Sequence, residues 1–158
     1  MKNRILALIL ALVMLLASLI SCDYFLGDVA EAGKVTVVVE AADGSYEVYE
    51  TALESIENKD EGAKGVVEHL NAREERKLAL TMVDSTHGAY VSAIGSIAES
   101  PADKMYVIVY TSVAADSYEG ASTVEYEGAT LYQAGVGLSG MKVEEGTVIL
   151  FRLEVSPY

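Results

Sequence analysis

The sequence predicts an α+β domain in which a mixed sheet curls around one helical layer. Three observations predict it. Residues 105–113 (MYVIVYTSV) are apolar on both faces of a strand, Tyr106, Ile108 and Tyr110 alternating with Met105, Val107 and Val109. Such a strand belongs in the middle of a sheet, covered from both sides. Residues 63–70 place Ala63, Val66, Val67 and Leu70 at the spacing of a helix with one buried stripe. The order of elements is strands, one helical stretch, then more strands, with no internal repeat.

The chain opens on a leader. Lys2 and Arg4 form a cationic start, residues 5–17 are apolar and uncharged, and Leu19-Ile20-Ser21-Cys22 follows. A small residue before a cysteine at the end of an apolar run is the pattern of a bacterial lipoprotein signal peptide over residues 1–21. The uncharged run, 5–20, apolar but for Ser18, is shorter than the roughly 20 residues a spanning helix needs. Cys22 is therefore the expected lipidation site. Its thioether-linked diacylglycerol, with an acyl chain such as palmitate on the new α-amine, would hold the chain at the extracytoplasmic face of the cell membrane. Residues 22–33 read as a tether, and residues 34–158 as a single domain.

Cys22 is also the only cysteine, so no disulfide framework and no thiolate metal site is available. The formal charge is −13, and loss of Lys2 and Arg4 with the leader makes the rest more acidic still. A surface of that sign repels nucleic acid and anionic headgroups, which excludes nucleic acid as a partner. The bland account of the charge, solubility of an exported domain, suffices.

Within the domain, residues 34–40 (KVTVVVE) read as a strand, with Val35, Val37 and Val39 on one face. Asp43-Gly44 marks a turn, so 46–50 should return as a hairpin partner. Thr51-Ala-Leu-Glu54 fits a capping box opening a short helix that buries Leu53 and Ile56. Helical spacing resumes at 63–70. Residues 71–77 are charged and solvated. The next strands are 78–84, 88–97 and 105–113, the last two joined around Pro101. A polar loop with an extended piece near 122–126 leads to a strand at 129–134. A Gly-rich connector, 135–146, then precedes a final strand, 148–155, with Ile149, Phe151, Leu153 and Val155 on one face.

Several motifs that carry chemistry elsewhere have simpler structural readings in this chain. Gly135-Val-Gly-Leu-Ser-Gly140 is a literal G-x-G-x-x-G, but no helix can open at its last glycine and no βαβ unit surrounds it, so it reads as a turn or a close backbone approach. Asp84-Ser85-Thr86-His87 holds triad residue types, yet they are sequence neighbours, whereas a triad converges from separate segments. His87 beside Gly88 shapes a turn. His69 sits at the edge of the helix stripe, with no partner at metal-ligand spacing. The pairs Asp60-Glu61, Glu74-Glu75 and Glu144-Glu145 read as solvated. No catalytic residue emerges. Tyrosine is the unusual count, ten against two Phe and no Trp. An apolar ring with a polar tip suits sheet rims and ligand grooves alike.

Taken in order, TALESI after an N-terminal hairpin, GAYVSAIGSI, a strand ending VYTS, and AGVGLSGMKVEEG before a last strand resemble a known family. These are the bacterial domains similar to the C-terminal domain of transcobalamin and intrinsic factor, in the soluble-ligand-binding β-grasp group. The resemblance spans about residues 34–155. It implies a β-grasp-like sheet and a non-catalytic module that covers one face of cobalamin, a helical partner protein or transporter supplying the other. No resident cofactor is implied. By position it points to Tyr90, Ser92, Tyr110, Thr111, Ser112 and Tyr132 as ligand-facing. The functional expectation is thus a lipid-anchored ligand-binding module for cobalamin or a related soluble ligand, and the alternative is a cell-surface protein–protein interaction module. An enzyme would need a convergent acid–base constellation, which the sequence does not display.

Overall fold

The computed structural model describes residues 33–73, 78–86 and 88–155. The leader, Cys22, His87 and the Glu74-Glu75 pair lie outside the described residues. The strands are β1 (Lys34–Glu40), β2 (Tyr46–Ala52), β3 (Thr81–Ser85), β4 (Gly88–Ile94), β5 (Ile97–Ala98), β6 (Met105–Thr111), β7 (Thr123–Tyr126), β8 (Ala129–Gln133) and β9 (Val148–Val155). Among the described residues one α-helix, α1, runs Ala63–Ala72.

Six strands form a mixed sheet in the order β2-β1-β9-β6-β8-β7, and three more form a small sheet, β3-β4-β5. Among the described residues only β1 and β9 run parallel, and the other strand pairings are antiparallel. The protein is α+β. β6 lies between β9 and β8, an interior place that its two apolar faces require. The β1–β2 turn forms at Asp43-Gly44: Gly44 takes φ +82°, and the Ser45 N–H and hydroxyl both donate to Asp43 Oδ1, at 2.9 and 2.6 Å.

Alternation divides the large sheet into two faces. Val35, Val37 and Val39 of β1, Ile149 and Phe151 of β9 and Val107 of β6 join Ile56, Val66, Val67 and Leu70 of the helical layer, with Ala89 and Val91 of the small sheet, in the main core. The opposite face holds a second core of Val38, Tyr110, Tyr126, Leu131, Val148 and Leu150. No helix covers it. The β7–β8 hairpin bends over that face until Tyr126 meets Tyr46 of the far edge strand, ring centroids 5.2 Å apart and nearly perpendicular. The sheet thus closes over its own second core, and both apolar faces are out of water.

Three local expectations are corrected. Thr51 caps no helix: it lies in β2 opposite Val35, and its hydroxyl sits 3.0 Å from that of Ser55. Continuing the ladder to Ala52 pairs more backbone than a capped turn would, so only a 3₁₀ turn, Leu53–Ser55, follows, without a side-chain cap. The 78–84 segment starts its strand only at Thr81, because Ala79 takes a positive φ of 49°. Leu78 is nonetheless buried, and its carbonyl accepts from the Gly95 N–H. The 88–97 segment is two strands, not one: the chain reverses at Gly95, φ +56°, and β5 returns along β4.

Candidate functional site: a cleft between the two sheets

A cleft of about 280 Å³ opens where β4 of the small sheet passes β6 and the end of β8. Its walls are Val91 of β4, Val107 and Val109 of β6, and Ala134; Tyr90 and Val136 stand at the rim, 39% and 45% exposed. Ser85 and Gln133 add polar groups, and the segment Val136–Leu138 forms one side. The walls follow from periodicity: residues 107 and 109 share a face of β6, and 91 projects from β4 toward the same interior.

The glycine-rich connector builds the third side by close packing. Gly88, at φ +104°, faces Gly137, and a methyl added at Gly88 would lie 3.0 Å from Gly137 Cα and 3.1 Å from Ser139 Oγ. The Ala89 N–H donates to Ser139 Oγ at 3.1 Å, tying the connector to β4. G-x-G-x-x-G is therefore a close-approach device, with a 3₁₀ turn, Leu138–Gly140, and no helix behind it. Asp116, buried after β6, holds the connector from the other side. Its carbonyl accepts from the Gly135 N–H at 2.8 Å, and its carboxylate Oδ2 from the Lys142 N–H at 2.7 Å.

The ligand-facing residues expected from the resemblance are scattered. Tyr90 is at the cleft rim. Ser92 is half-buried on β4, its hydroxyl 3.4 Å from the Thr81 carbonyl oxygen. Tyr132 is half-buried on β8 opposite Thr111. Tyr110 and Thr111 are buried, at 1% and 0% exposure, which leaves them no surface for a ligand. The Tyr110 ring belongs to the second core, on the other face of β6, and its hydroxyl donates to Glu154 Oε1 at 2.7 Å. Thr111 Oγ1 accepts from the Val113 N–H, and Ser112 Oγ from the Val148 N–H, so both secure the end of the sheet. Val91, Val107, Val109, Ala134 and Val136 were not singled out as site residues. The alternation of β6 marks its inward valines, but which inward residues border a void depends on how the small sheet sits.

Elsewhere, Asp84 and Ser85 lie on β3 and Thr86 in the turn beyond it, without a converging base among the described residues. His69 lines a second hollow beside α1, about 440 Å³ and more polar than the cleft, with Glu57, Asn58, Glu68 and Arg73. Among the described residues no three His, Cys, Asp or Glu side chains converge as a metal site. No helix among them is long and apolar enough to cross a membrane.

The fold and cleft define a class: a small α+β domain with an apolar cleft between two sheets and no visible catalytic constellation among the described residues. Among solved structures, the chain is similar to a candidate metal-binding protein from Ruminococcus gnavus, with a TM-score of 0.52 and 12% identity, covering 78% of this chain and 97% of that one. It also matches haptocorrin in complex with Cbi, with a TM-score of 0.47 and 12% identity, covering 79% of this chain and 26% of that one. The chain thus spans about a quarter of haptocorrin's length. The first likeness is a distant one, of fold. No family model and no curated protein matches the chain.

Proposed function

We propose that this protein is a lipid-anchored, extracytoplasmic module that binds a soluble ligand without transforming it. The observation that carries the reading is the cleft, whose valine walls and exposed Tyr90 and Val136 rim offer apolar surface with few polar groups to orient a guest. At about 280 Å³ it sits just under the roughly 300–1,000 Å³ of a site that encloses a whole small molecule. It suits one edge of a larger, flat or amphipathic ligand, the rest being left for a second protein. The lipobox ending at Cys22 supports the location, and the order of motifs makes cobalamin the first ligand to try.

Isothermal titration of the protein with cobalamin and with cobinamide, alone and with helical partner proteins, tests the reading. Binding is expected, weakened about tenfold by Tyr90→Ala and by Val136→Asp, a loss of about 1.4 kcal/mol. No heat in any mixture removes cobalamin. Binding indifferent to both substitutions removes the cleft. For the anchor, labelled palmitate fed to the cells should be incorporated into the protein and not into its Cys22→Ala variant; no incorporation into the parent protein would argue against lipidation there.

A further inference from the structure

A second surface lies on the small sheet. Among the described residues β3 pairs with β4 alone, so alternate residues turn their N–H and C=O groups away from the sheet. Thr81, Val83, Asp84 and Ser85 are exposed. Val83, at 54%, is directly opposite Tyr90 at 39%, and the two make an apolar pair on the outer face. Edge strands are ordinarily guarded by lysine or proline. β3, TMVDS, has neither, and no Lys or Arg occurs anywhere in β3, β4 or β5. The one irregularity of the ladder falls between Thr81 and Met82, which leaves Met82–Ser85 in regular register.

Among the described residues β3 itself carries one charge, Asp84. Lys64 of α1 lies near enough to feel it, but is held by Glu61 at 3.0 Å and Glu68 at 3.9 Å. The chain as a whole carries −13, so a second copy or an acidic strand meets repulsion. We propose that β3 is a docking edge for an extended, basic segment of a partner protein. The segment adds a strand beside β3, sets an apolar side chain over Val83 and Tyr90, and places a Lys or Arg beside Asp84. This goes beyond ligand capture in the cleft: Tyr90 stands at the border of both surfaces, whereas Val83 and Asp84 do not line the cleft.

The test uses the full-length chain in a neutral detergent and three synthetic peptides: alternating valine and lysine, alternating valine and glutamate, and the lysine peptide with a central proline. The lysine peptide is expected to bind, to slow amide exchange in β3, and to weaken as salt is added. The glutamate and proline peptides should bind at least tenfold more weakly. The Val83→Lys, Asp84→Lys double variant should lose at least tenfold in affinity with an unchanged near-ultraviolet dichroism spectrum. If that variant misfolds, Asp84→Asn, nearly isosteric, should still lower the affinity for the lysine peptide several-fold. Equal binding of the acidic peptide, protection mapped away from β3, or self-association that protects β3 in place of the peptide would each overturn the proposal. Cobalamin titrations of the same variants keep its failure separate from that of the cleft.

Discussion

Gly65→Ala should destabilise the protein by about 3 kcal/mol, although alanine in a helix interior is ordinarily about 1 kcal/mol better than glycine. Gly65 is on the buried side of α1, where the segment before the helix crosses it. A methyl built on Gly65 would lie 2.0 Å from the Asn58 carbonyl oxygen and 2.8 Å from its carbon. Both are backbone atoms, so no rotamer change relieves the clash. The same carbonyl accepts from the Glu61 N–H at 2.9 Å, and moving it disturbs the 3₁₀ turn Lys59–Glu61 that leads into the helix. Urea denaturation reads the effect as a lowered midpoint. Gly120→Ala serves as the contrast: it has open space but φ +79°, so its cost is the backbone strain alone, about 1–2 kcal/mol. A Gly65→Ala protein as stable as the parent would mean that the helix does not approach Asn58 this closely.

Alkali should unfold this protein through its second core. Burial, first, and then the hydrogen bond to the Glu154 carboxylate push the Tyr110 phenol well above its ordinary range. Tyr126 is pushed up to about 12, by burial and then by the Glu127 charge, with Tyr46 and Glu50 adding to it. A phenol with a raised folded value stays protonated in the fold after it has ionised in the open chain. Between pH 10 and about 12 the unfolded chain therefore binds fewer protons, and stability falls as pH rises. Below pH 10 these two groups give stability no slope. Tyrosinate absorbance should show two phenols titrating only with loss of structure, and the urea midpoint should drop over the same window. Tyr110→Phe removes one of them. It should cost about 1–2 kcal/mol at neutral pH through the lost hydrogen bond, and should make the alkaline fall shallower. If all tyrosines titrated reversibly near 10 in the folded protein, the second core would be wet.

Much of the architecture was legible because it rests on local periodicity. The two-faced β6, the valine alternation of β1, the Asp43-Gly44 turn and the helical stripe of Ala63, Val66, Val67 and Leu70 all became the elements that their patterns predict. The misreadings sit where a long-range pairing outbid a local signal. Thr51 has the neighbours of a cap, but β1 offers it a ladder. Gly95 looks like a strand interior residue until the Leu78 carbonyl bonds its N–H. The site was less legible. Tyr110 and Tyr90 have similar local contexts, an aromatic flanked by small or β-branched residues on a strand. One is sealed under the β7–β8 hairpin and the other stands at the rim of a cleft.

The residues by themselves determined the class of fold, the identity and order of most strands and the acidic charge, since each depends on composition or on neighbours a few positions apart. Only the tertiary structure decided that a hairpin closes over the second face of the large sheet, that a glycine connector seals one side of a cleft, and that β3, among the described residues, is an edge. Those depend on segments dozens of residues apart coming into contact, and the free energy that selects among such contacts is burial summed over the whole chain.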